Sequence, residues 1–173
     1  MISFQEFLVL CEGGLSRYLG KSETHDTGHL SPDRGDDENE NRKKRRSLEK
    51  DLKKHRIGYR KTTGKYKYED GTSAREVSYA TTRPAGMSKR EFGKRMRQLG
   101  AKYGQESVIT KKAGKSARLH YTDKSGRSPD NIGSAKPGPH PDGYGETGEK
   151  KQRGDKLKDK KKDRDFHYSW ETL

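Results

Sequence analysis

The stretch Ser88–Gly104, SKREFGKRMRQLGAKYG, decides the fold class. Ser88 can cap a helix, and Glu91 three residues later completes a capping box. Phe92, Met96, Leu99 and Tyr103 then recur at i, i+4, i+7 and i+11, one apolar stripe at helical period. Lys89, Arg90, Lys94, Arg95 and Arg97 occupy the opposite face, and Gly104 stands where the helix should stop. A helix with a single apolar stripe needs another layer to bury it.

The flanks supply that layer. Before the helix, Glu76–Thr82 alternates Val77 and Tyr79 against Ser78 and Ala80 until Arg83-Pro84-Ala85-Gly86 breaks it. After the helix, Ser107–Thr110 reads as a short strand, and a turn at Gly114 leads to its hairpin partner Arg118–Tyr121. Further upstream, Ile57–Thr62 reads as a strand, Tyr66 and Tyr68 alternate beyond Gly64, and Asp70-Gly71 is a hairpin turn signal. A second helix starts at Asp36-Asp37-Glu38, where acids suit the helix N-terminus, and runs to about His55. Leu48 and Leu52 form its thin apolar face. The expected fold is α+β: a small antiparallel or mixed sheet of four or five strands with two helices on one face, within residues 30–122. Residues 13–29 read as a polar linker, with a short strand allowed near His29-Leu30-Ser31.

Beyond Asp123 the composition turns to Gly, Pro, Ser and Lys, so residues 123–173 are expected to form a disordered basic tail. Phe166, Tyr168 and Trp170 alternate near its end, a pattern that could stack on bases or dock as a short strand. Only 25% of residues are hydrophobic and 38% are charged, which confines any core to part of the chain. The net charge of +14 favours polyanions, nucleic acid above all, or simply keeps the chain soluble. The run Arg42, Lys43, Lys44, Arg45 and Arg46 is the expected phosphate contact, against the alternative of a solvated helix face. The single cysteine, Cys11, excludes an intramolecular disulfide and a multi-thiolate zinc site. No apolar run approaches the roughly 18–20 residues that span a bilayer, so no membrane partner is expected.

At the N-terminus, MISFQEFLVLCEGG is amphipathic and stops at Gly13-Gly14. It resembles the capsid-targeting leaders of internal head proteins in T-even-like tailed phages and cyanophages. The matching residues are Phe4, Gln5, Glu6, Phe7 and Leu8, followed by the cut-like triplet Leu10-Cys11-Glu12. The resemblance implies docking on the prohead core through Phe4, Phe7 and Leu8. It also implies cleavage by the prohead protease between Glu12 and Gly13, with Leu10 in the recognised triplet. It makes residues 1–12 a removable leader on a protein of the virion interior that later enters the host cytoplasm, where a host defence protein is an expected partner. The middle of the chain, roughly 30–108, resembles a phage and bacterial domain family of unknown function. It does so through Glu40-Asn41-Arg42, Gly58-Tyr59, Glu76-x-Ser78 followed by Tyr79, and Gly104-Gln105.

No P-loop, dinucleotide fingerprint, nucleophile elbow or zinc ligand set is present, so neither a cofactor nor a metal is expected. The polar residues worth testing for catalysis are Glu76, Ser78 and Gln105, with Arg34 and His29 as outsiders. Glu76 could serve as a general base and Arg34 could hold a phosphate, whereas the plainer expectation pairs Glu76 with a basic neighbour on the sheet. The function expected from sequence is that of a phage internal head protein. The alternatives are a basic nucleic-acid-binding accessory protein and a small nuclease-like enzyme.

Overall fold

A computed structural model describes residues 20–67, 73–124, 126–137, 146–149 and 166–168. The leader, its cut-like triplet and the Asp70-Gly71 turn lie outside the described residues. In chain order the elements are β1 (Thr27–Leu30), α1 (Glu38–Lys54), β2 (Gly58–Lys67), β3 (Ser73–Thr82), α2 (Lys89–Lys102), β4 (Ser107–Lys111), β5 (Ala117–Tyr121) and β6 (Asp130–Gly133). Three short strands follow: β7 (Ala135–Pro137), β8 (Glu146–Glu149) and β9 (Phe166–Tyr168). The sheet order is β6-β5-β4-β1-β3-β2-β8-β9-β7, and every neighbouring pair is antiparallel. The fold is therefore α+β with two helices on one face of an antiparallel sheet. The sheet is larger than the four or five strands expected, and it reaches into the stretch whose composition suggested a tail. Phe166–Tyr168 takes the strand alternative, pairing with β7 and β8.

Both helices start where their caps place them. The Asp37 carboxylate accepts from the Asn39 and Glu40 amides, and the Ser88 hydroxyl accepts from the Glu91 amide. α2 stops at Gly104, whose φ of +71° suits glycine far better than any residue with a Cβ. α1 stops the same way at Arg56, which adopts φ +56° without being glycine. The Arg56 amide donates to the Lys53 carbonyl and the Ile57 amide to that of Leu52.

The core lies between the helices and one sheet face. Leu48 and Leu52 from α1 and Phe92, Met96 and Leu99 from α2 pack with Leu30, Val77, Tyr79 and Val108 of the sheet. Alternation sends Val77 and Tyr79 of β3 to this side and Glu76, Ser78 and Ala80 to the other. Leu30 and His29 of β1 divide in the same way. α2 lies so close to β1 that a Cβ on Gly28 would sit 2.7 Å from Met96 Cε and 3.1 Å from the Ile109 carbonyl. Tyr79 donates to Glu49 (2.8 Å), which also pairs with Lys61, tying α1 to β2 and β3.

β1, four residues long, is an interior strand inside a stretch that sequence reads as mostly linker. Its sequence, TGHL, is too short for periodicity to mark it, and its interior place comes from pairing β3 on one side and β4 on the other.

Candidate active site

β1 ends because Pro32 has no amide hydrogen to continue the ladder. Val77 of β3 consequently loses its backbone partner, and two side chains take the strand's place. The Ser31 hydroxyl donates to the Val77 carbonyl (2.9 Å), and the Asp33 carboxylate accepts from the Val77 amide (2.8 Å). Ser31 and Asp33 are 1% and 6% exposed, so these bonds lie out of water and are not readily replaced. The loop that follows is carried by α1. Arg45 donates from Nε to Asp33 Oδ1 at 2.7 Å and from Nη2 to Oδ2, and its Nη1 reaches Glu38 at 2.8 Å. Asp33 and Glu38 together hold the Arg45 guanidinium firmly protonated.

Arg34 emerges from this loop. Its Nε donates to the Gly104 carbonyl and its Nη1 to the Asp33 carbonyl, both at 2.6 Å. Nη1 also stands 4.0 Å from Glu76 Oε2, and both side chains are 34% exposed. The separation and exposure make this a loose pair of opposite charges rather than a closed ion pair. Burial raises the Glu76 carboxyl above its usual range; the nearby Arg34 cation and Ser31 hydroxyl oppose the rise, and Asp33 adds to it.

Of the residues marked from sequence, Glu76 and Arg34 come together at the end of β1; Ser78 lies two residues along the Glu76 face, and Gln105 follows Gly104, whose carbonyl Arg34 engages. The Gln105 amide oxygen is buried and has no hydrogen-bond partner among the described residues. His29 shares the Glu76 face of the sheet, two residues before Ser31, and burial lowers its imidazole to about 3, so it is neutral. Sequence reasoning missed Ser31, Asp33 and the inward role of Arg45. It held one signal for Asn41, the acidic-Asn-Arg pattern at the start of α1. Within the basic run, Arg45 is turned inward (13% exposed) and is not available to a phosphate. Lys43 pairs with Glu40 on the exposed surface, Arg42 and Arg46 are exposed, and Lys44 is half-buried. Among the described residues no group of three or more His, Cys, Asp or Glu could hold a metal, and no helix is long and apolar enough to cross a membrane.

A cation and a carboxylate 4.0 Å apart, partly open to water, suit a small ligand that itself carries both charges. The family model of the S-adenosylmethionine lyase family matches residues 30–158, most of the chain, and the chain belongs to that family. No curated protein shows significant similarity to it. The match overturns the expectation of an internal head protein with a capsid-targeting leader and prohead cleavage, and it does not support the nuclease-like alternative. The head-protein reading rested on residues 1–14, which lie wholly outside the matched region.

Proposed function

We propose that this member of the S-adenosylmethionine lyase family breaks a carbon–sulfur bond of S-adenosylmethionine at the Glu76–Arg34 site. The observation that carries the reading is the family match, whose span of 30–158 contains Ser31, Asp33, Arg34, Glu76, Ser78 and Gln105. The geometry supports it by charge. The substrate bears an ammonium and a carboxylate on one carbon, and Glu76 and Arg34 offer the complementary charges 4.0 Å apart. The planar guanidinium suits the carboxylate through paired N–H donors, and Glu76 suits the ammonium.

A sulfonium is better held away from Glu76, for a reason of energetics. A carboxylate set against sulfur would stabilise the ground state more than a transition state in which sulfur is losing its charge. When the bond breaks, sulfur takes the bonding pair and departs as a neutral thioether, so the leaving group needs no acid. In a lyase the replacing electron pair comes from within the substrate and not from water. An oxygen of the substrate's own carboxylate forms a bond to the carbon that sulfur leaves, giving a cyclic ester and a neutral thioether with no proton transferred. The protein's task is then to hold the amino-acid end in one orientation, an entropic contribution to catalysis.

The direct test is incubation of the full chain with S-adenosylmethionine, followed by mass spectrometry. Loss of the sulfonium with appearance of a thioether, faster than in buffer alone, is the expected result. A rate equal to spontaneous breakdown rejects the proposal.

A further inference from the structure

α1 grips the loop on both sides of Arg34. Asn41, 5% exposed, accepts from the Arg34 amide through Oδ1 (2.7 Å) and donates from Nδ2 to the Gly35 carbonyl (3.0 Å). Arg45, four residues on and therefore on the same helix face, holds Asp33 through two guanidinium nitrogens. Residues 33, 34 and 35 are thus each fixed by a side chain of one helix. With its backbone fixed, Arg34 reaches two carbonyls, those of Asp33 and Gly104, and these direct Nη1 towards Glu76.

We propose that Asn41 and Arg45 are positioning residues: by clamping the loop Asp33–Gly35 onto α1 they hold the Arg34 guanidinium beside Glu76, so that both charges face the substrate at one spacing. The inference rests on the assignment of Arg34 and Glu76 to the amino-acid end of the substrate. It gives Arg45, one of five basic residues in a row, a task unrelated to phosphate contact. It also explains a buried asparagine in the first turns of a helix, where a polar side chain facing inward needs partners of its own.

The groups facing Glu76 among the described residues are Arg34 and Asp33 from the loop and Ser31 from the end of β1. Arg34 is the cation among them, so displacing it removes the charge that favours ionised Glu76. This yields a readout that a merely structural role of Asn41 would not move. The Glu76 carboxyl carbon is followed by NMR against pH in four forms of the full chain: wild type, Asn41→Ala, Arg34→Gln and the double variant. The expected result is a Glu76 titration moved to higher pH by each single change, with the double variant no higher than Arg34→Gln. An unmoved titration in Asn41→Ala, or a full additional shift in the double variant, overturns the proposal, because either shows that Asn41 does not act through Arg34. Should Asn41→Ala fail to fold, Arg45→Lys carries the same test, since lysine keeps the charge but loses the two-nitrogen hold on Asp33.

With S-adenosylmethionine, Asn41→Ala should lower kcat/KM by about tenfold or more and move the acid limb of its pH profile upward. A wild-type chain without turnover counts against the substrate assignment, while the NMR titration still decides the positioning role.

Discussion

At its start β1 is preceded by Asp26, and just past its end stands Asp33; each aspartate is buried and paired with an arginine from elsewhere in the chain. The Asp26 end is closed. One carboxylate oxygen takes Arg83 Nε at 3.0 Å, the other takes the Ala113 amide at 3.0 Å, and Arg83 spends a further nitrogen on the Met87 carbonyl. The Asp33 end is equally well bonded at its aspartate, yet beside it Arg34 and Glu76 are held only 4.0 Å apart with a third of each exposed. One end is therefore all structure, whereas the other adds a pair of charges whose interaction with one another is incomplete. Buried groups with complete partners contribute to stability; charges left partly unmatched are what a ligand can use.

The largest effect expected from this comparison is on stability at both ends and on activity at one. Asp33→Ala leaves the Val77 amide without its partner and Arg45 with Glu38 alone, and Asp26→Ala leaves the Ala113 amide without its partner and Arg83 with the Met87 carbonyl alone. Each should cost about 3 kcal/mol by urea denaturation. Only Asp33→Ala should also lower kcat/KM of the folded protein, because it frees the loop that carries Arg34. Equal kinetic losses from the two changes would erase the distinction between the ends.

Next in size is Glu76→Gln, expected to lower kcat/KM at neutral pH by about ten- to hundredfold through loss of a charged hydrogen-bond partner. Its effect on stability has the opposite sign. Because the folded protein raises the Glu76 carboxyl, that group favours the fold at acid pH and loses this contribution as pH rises through its folded value. Glu76→Gln should accordingly be slightly more stable than wild type at neutral pH, by less than about 0.5 kcal/mol given the exposure of the site. The advantage should fade on acidification. A clear destabilisation at neutral pH would place Glu76 among the structural pairs.

Between the two ends His29 titrates in the reverse sense. Its folded value of about 3 lies below the ordinary 6.5, so its contribution is complete above 6.5 and is lost as pH falls towards 3. His29→Gln should flatten that part of the stability profile, read as Tm against pH. The smallest effect is expected at Arg56, the residue held at φ +56°. Arg56→Gly should add about 0.5 kcal/mol, the left-handed strain relieved less the extra freedom of glycine when unfolded. It should leave kcat/KM unchanged, which makes it a control for stability acting alone.

Much of the fold is legible in the sequence, and the reason differs by element. Ser88 with Glu91, the stripe Phe92–Met96–Leu99–Tyr103 and the stop at Gly104 mark α2 because capping and periodicity are local. Leu48 and Leu52 mark α1 for the same reason. β1 is nearly silent, because a four-residue strand becomes interior only through what pairs with it. The site is partly legible: Glu76, Ser78, Gln105 and Arg34 can be singled out as polar residues at strand and helix ends. Asp26 and Asp33 cannot, since a lone aspartate in a polar stretch carries no sign that an arginine 57 or 12 residues away will meet it. Arg45 is hidden by its basic neighbours, which share its chemistry but not its direction.

Function was misdirected by the opening residues. Met1–Gly14 offers a short motif of apparent specificity, while the family match begins at residue 30. Three residues that engage Arg34 (Asn41, Glu76 and Gly104) all belong to the pattern of the second, functionally silent resemblance. They are scattered over the sequence and acquire chemical meaning only when the sheet and α1 bring them together.

The most direct measurement is kcat/KM for S-adenosylmethionine in Glu76→Gln and Arg83→Gln, made side by side on folded protein. A loss of about ten- to hundredfold in Glu76→Gln, with Arg83→Gln close to wild type, is the predicted result. Full activity in Glu76→Gln, or an equal loss in Arg83→Gln, would contradict the assignment of catalysis to the Asp33 end of β1.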